Sequence, residues 1–131
     1  MVIEQLERLH AAYGEHLRAR NFSGVHAAND TFHLTMFAAC GNTHLVESIK
    51  HYMWLSLPVR AKKTADYAHA QASERDHFMI IQLLKGNDSW ALAQCAWTIC
   101  KLRNVTICES SAMCSQVTEV RLFVSSLCQC S

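Results

Sequence analysis

The stretch NDTFHLTMFAACGN, residues 29–42, sets an amide and an imidazole, Asn29 and His33, among Phe32, Met36 and Phe37. Side chains four apart on a helix stand one above the other, so Asn29 and His33 converge on one point. The spacing predicts a helix over about 24–40 that buries Val25, Ala28, Phe32, Met36 and Cys40. Ser23 is a candidate cap for its start. Gly41-Asn42 closes it, because glycine tolerates the left-handed conformation that ends helices.

The same period extends in both directions. Residues 3–20 carry Ile3, Leu6, His10, Tyr13 and Leu17 at helical spacing, with Glu and Arg on the other face. Beyond the stretch, Thr43 is a candidate cap for a third helix with Leu45, Ile49 and Met53, which ends or kinks near Pro58. A basic link, Arg60-Ala61-Lys62-Lys63, precedes a fourth helix that opens at Thr64 or Asp66 and runs to about Lys85. Its apolar stripe is Ala70, Ser73, His77, Ile80, Ile81 and Leu84. Gly86-Asn87-Asp88 is a turn, and a fifth helix is predicted from Trp90 to about Arg103. The fold class is all-α, with residues 1–103 as the domain. Residues 104–131 read as an irregular, cysteine-rich tail in which VRLFV resembles a strand without a partner.

Composition bounds the function. A chain of 131 residues with 50% hydrophobic and 18% charged residues collapses around one core. A formal net charge of +1 argues against strong attraction to nucleic acid or acidic membranes. No long apolar run suits a membrane span, and the amphipathic start MVIEQLERLH is unlike a secretory signal, so the expected location is cytoplasmic. Six of the seven cysteines lie from Cys95 onward, while all eight histidines lie between His10 and His77. The cysteines lack the paired spacing of structural zinc sites and read as reduced thiols.

Two histidines on apolar stripes of different helices, His33 and His77, with an amide four residues before the first, are the makings of an all-helical metal site. Imidazole and oxygen donors suit zinc, nickel, manganese or iron. The plainer alternative is a pair of core histidines bonded to carbonyls. Arg60, Lys62 and Lys63 are either an anion-receiving group or a solvated linker. Tyr13, Tyr52 and Trp54 either line a pocket or pack, and packing is the reading taken; Glu74-Arg75-Asp76 is the exposed face of its helix. No phosphate-cradling glycine loop and no nucleophile motif occurs.

N-D-T-F-H followed by A-A-C-G-N resembles the first signature of the effector-binding domain in the FadR-like branch of GntR transcription regulators. E-R-D-H-F-M-I-I-Q-L-L-K-G-N-D-S-W-A resembles the second, in the right order and at the right distance. The resemblance spans residues 3–94. It implies an antiparallel helical bundle of six or seven helices that binds a small carboxylate, often through a divalent metal such as zinc, nickel or manganese, and that forms a homodimer. By position, Asn29 falls where many members carry an aspartate ligand, and His33 and His77 match two histidine ligands. His33, His77 and Arg60 would face the organic acid effector. A third histidine is expected at about position 99, where this chain has Ile99.

The resemblance also implies DNA binding only through a winged helix-turn-helix domain, for which the chain has no counterpart. The expected role is therefore ligand sensing and dimerisation in a bacterial transcription regulator, and not enzymatic. A small metal-dependent enzyme is the weaker rival, for want of a general base beside the histidines. A helical interaction module with structural histidines is the other rival.

The missing histidine has a simple candidate origin. Cys95-Ala96-Trp97-Thr98-Ile99 is encoded by TGY GCN TGG ACN ATH, and displacing the frame by one base permits Leu-Cys-Val-Asp-His, with histidine at position 99. A frameshift near codon 95 would account together for the cysteine-rich tail, the lost period and the absent histidine. Sequencing the coding DNA is expected to reveal that histidine codon in the displaced frame; any other codon there ends the explanation.

Overall fold

In a computed structural model of the chain, the described residues are 1–39 and 41–86. They form an all-α bundle of five helices: α1 (Val2–Arg18), α2 (Phe22–Ala38), α3 (Thr43–Leu55), α4 (Leu57–Thr64) and α5 (Tyr67–Lys85). No strand occurs among the described residues. Cys40, the turn after Gly86, the expected helix from Trp90 and the tail at 104–131 lie outside them. Two compact units divide inside α5, at Met1–Phe78 and Met79–Ser131. In the second, the described residues are the last turns of α5, where Ile80 and Ile81 are buried as the stripe predicts.

The core of the first unit gathers Tyr13 and Leu17 from α1, Val25 and Ala28 from α2, and Ala70 from α5. These are the apolar positions of the helical period, so burial follows directly from spacing. Tyr13 is fully buried, and its hydroxyl donates to the Ala70 carbonyl at 2.9 Å, which satisfies the one polar atom it takes out of water. Phe32 is also fully buried, whereas Met36 is only half-buried.

The helix ends differ from expectation in instructive ways. Asn21, not Ser23, caps α2, its side chain accepting from the Gly24 N–H at 3.0 Å. Asn42, not Thr43, caps α3, accepting from the Leu45 N–H at 3.1 Å. Both asparagines sit one residue ahead of their helix, where a side-chain oxygen reaches the N–H three residues on. At the end of α1 the Asn21 N–H returns to His16 O at 2.9 Å and Arg20 N–H to Leu17 O at 3.1 Å. That double closure requires a left-handed residue, and Arg20 takes it with φ of 53°. The strain of about 1 kcal/mol is offset in kind, since the Arg20 guanidinium lies 4.6 Å over the Tyr67 ring.

The basic stretch at 60–63 is helical, not a link. α3 ends at Leu55 and α4 restarts at Leu57, with Pro58 in its first turn. Proline is tolerated there because first-turn N–H groups have no intrahelical partner. Thr64 ends α4, its hydroxyl bonded back to Arg60 O at 3.0 Å. Asp66 opens α5, accepting from the Ala68 N–H at 3.0 Å. Glu74 is not simply on an exposed face, since it pairs with Arg18 of α1 at 3.9 Å. Of the aromatic residues expected to pack, Tyr13 does so, but Trp54 is 70% exposed and Tyr52 is 37% exposed.

Tyr13→Phe deletes the bond to Ala70 without changing the packed ring. Its expected cost is about 1 kcal/mol, read by urea denaturation. Unchanged stability would show that the hydroxyl contributes nothing to the junction of α1 and α5.

Candidate functional site

His77 is 1% exposed, and its surroundings explain how α5 tolerates an imidazole on its apolar stripe. The ring stacks on Phe32 of α2, with centroids 4.0 Å apart and planes within 17°. Tyr13 of α1 meets it edge-on at 4.9 Å, and His10 lies further off at 6.4 Å. The flat faces of the imidazole are thus treated as an aromatic hydrocarbon. Its polar edge emerges beside His33, where the two Nε2 atoms are 3.4 Å apart. His33 itself is half-buried and turns its ring edge-on to Phe32, at 5.6 Å. Phe32 thus fills the core, and His33 stands at its margin.

The sequence reading placed Asn29, His33, His77 and Arg60 in a site. The fold brings His33 and His77 together. Asn29 is half-buried one turn before His33 on the same helix. Arg60 goes elsewhere on α2: its guanidinium pairs with Asp30. The same side chain donates from Nε to Ser56 Oγ at 3.1 Å and from its second terminal nitrogen to Met53 O at 2.6 Å. On the other side of Asp30, His26 Nε2 lies 3.6 Å from the second carboxylate oxygen. The His26 Nδ1 is 3.3 Å from Thr64 Oγ1 of α4. Sequence reasoning missed Asp30, His26 and Thr64. The four-residue interval from His26 to Asp30 was the one available signal; Asp30 and Arg60 are thirty residues apart, and nothing local joins them.

The histidine pair has the dimensions of a metal edge. Two imidazole nitrogens on a tetrahedral zinc lie about 3.3 Å apart, because bonds of about 2.0 Å meet at the tetrahedral angle. The observed 3.4 Å fits this and is long for a direct N–H···N bond. Among the described residues, however, no group of three or more His, Cys, Asp or Glu could hold a metal. Asn29, the oxygen donor expected from the sequence, offers an amide, a poorer ligand than a carboxylate. Ile99, where the resemblance expects an imidazole, lies outside the described residues.

The family model of the FCD domain matches residues 2–101. No curated protein and no solved structure matches the chain. No helix among the described residues is long and apolar enough to cross a membrane.

The two histidines should respond differently to truncation. His77→Ala opens a cavity between Phe32 and Tyr13 and is expected to cost about 2–4 kcal/mol. His33→Ala, at the margin, is expected to cost less than about 1 kcal/mol. Equal losses in chemical denaturation would contradict the assignment of one ring to the core and the other to its edge.

Proposed function

The chain belongs to the FCD domain family, the C-terminal effector-binding domain of GntR-type regulators, and on that premise we propose that it senses a small organic acid with the help of a divalent metal. The observation that carries the proposal is the His33–His77 pair, two imidazole edges at metal-ligand spacing on a rigid aromatic bed. His33 and His77 would hold the metal, with Asn29 as the supporting oxygen donor. Zinc, nickel and manganese are the candidates by donor type. When bound, such a metal supplies a positive centre with open positions for a carboxylate.

The protein's own contribution is positioning. Phe32 and Tyr13 fix the plane of His77, so its Nε2 needs no reorganisation to meet a ligand. Arg60, held by Ser56 Oγ and Met53 O, is the carboxylate partner on the neighbouring helix. In a complete regulator, the effector would act by binding two arrangements of the DNA-reading domains unequally. We assign the chain a homodimeric, cytoplasmic setting. Apolar side chains exposed about the junction of α3 and α4, namely Trp54, Leu55, Leu57 and Val59, support an association surface.

Calorimetric titration with zinc and nickel, followed by thermal shift with a panel of small organic acids, tests the reading. The expected result is metal binding that weakens at least tenfold in His33→Ala and tightens in Ile99→His. Acids should raise the melting temperature more with metal than without. Equal binding by the parent and His33→Ala would remove the pair from sensing and leave it a structural contact.

A further inference from the structure

We propose that Asp30 is a built-in occupant of a carboxylate site formed by Arg60, and that a small external carboxylate binds there by exchange with it. This rests on the sensing role of Arg60 above and assigns the residue that competes with the effector.

Three features distinguish an exchangeable contact from a fixed strut. First, Arg60 does not depend on Asp30 for its orientation. Its Nε is bonded to Ser56 Oγ and one terminal nitrogen to Met53 O, so the remaining terminal nitrogen is presented outward whether or not Asp30 is present. A guanidinium anchored at two corners is a preorganised carboxylate receptor.

Second, Asp30 has an alternative on its own helix. His26, one turn earlier, holds its Nε2 3.6 Å from the carboxylate oxygen that does not face Arg60. A change of rotamer moves the carboxylate along α2 without moving the backbone. His26 keeps its own contact with Thr64 of α4, so the two helices stay joined through that ring when the ion pair opens.

Third, the pair is reachable. The side chains of Arg60 and Asp30 are 21% and 24% exposed, enough for solvent and a small anion to enter, and too little for the pair to be freely screened. Exchange replaces one carboxylate by another at the same guanidinium, so Arg60 is never left uncompensated, which is the costly outcome for a partly buried charge. Asp30 and His33 are three residues apart on α2 and so neighbour one another on its surface. An acid held by Arg60 in place of Asp30 thus lies on the stripe of α2 that carries His33.

Chemical rescue tests this without knowledge of the natural effector. Asp30→Ala vacates the site while leaving Arg60 tethered. The melting temperature of the full chain would be followed against sodium acetate and sodium formate, with sodium chloride at matched ionic strength. Asp30→Ala is expected to lose stability and to regain most of it in a saturable manner with either carboxylate. The parent chain should respond as well, but only at higher carboxylate concentration because Asp30 must be displaced, and Asp30→Ala/Arg60→Gln should respond only as it does to chloride. If Asp30→Ala does not fold, Asp30→Asn keeps the shape and removes the charge. Titration with carbon-13-labelled acetate should then give at least tenfold tighter binding than to the parent. Overturning results are a response of Asp30→Ala no larger than that to chloride, an equal response in the double variant, or acetate binding unchanged by Asp30→Asn. Because these measurements contain no metal, they can fail while metal binding at His33 and His77 stands, and the reverse also holds.

Discussion

An imidazole ring pressed flat against Phe32 and capped by the edge of Tyr13 ties together three helices of the first unit. Such a ring is costly to bury unless its polar atoms find partners. The arrangement gives its faces to carbon and its Nε2 edge to His33. Once Tyr13 is committed to this stack, its hydroxyl reaches the Ala70 carbonyl and fixes α1 against α5 one turn beyond the one next to His77. The candidate site is thus no attachment to a finished bundle. Its geometry is the geometry of the core, and a shift in the phase of α2 that misplaced His33 would also withdraw Phe32.

That coupling explains which parts were legible in the sequence. Leu6, Tyr13 and Leu17, Val25, Ala28 and Phe32, and Ala70, His77, Ile80 and Ile81 recur at helical spacing, and all are buried. A polar residue in phase with such a stripe stands out, so His77 was visible at once, and His33 beside Phe32 nearly so. α4 was not visible. LPVRAKKT offers a proline, three cations and little apolar period, and only Thr64 in it is buried. What holds it are partners on α2, Asp30 for Arg60 and His26 for Thr64, at separations that no local pattern records. The helix starts failed for a smaller reason. At each of two starts a hydroxyl residue and an asparagine stood within two positions of each other, and the asparagine served as cap.

The same contrast divides the bundle by strength. α1, α2 and α5 meet through buried aromatic and aliphatic side chains. α3 buries none of its residues completely, and α4 buries Thr64 alone. Apolar burial contributes roughly 25 cal/mol for each Å² withdrawn from water, whereas a partly exposed ion pair contributes at most about 1 kcal/mol. By this measure α3 and α4 are the elements with least to lose from displacement. Local opening follows the same ordering, with sparsely buried segments separating first.

A sensing domain needs both properties at once. A ligand shifts an equilibrium only by the difference in its affinity for two states, so part of the site must stay fixed while another part differs between states. On the proposed reading the histidine pair would belong to the fixed part, because moving His77 means opening the stack with Phe32. Arg60, on the proposed reading, would belong to the other, because its helix is held to α2 by polar contacts, Arg60 with Asp30 and Thr64 with the ring of His26. α2 carries one partner of each contact, His33 for His77 and Asp30 for Arg60, with His26, Asp30 and His33 at intervals of four and three along it. A ligand bridging the two would therefore set α4 relative to the core, through a junction made by polar side chains.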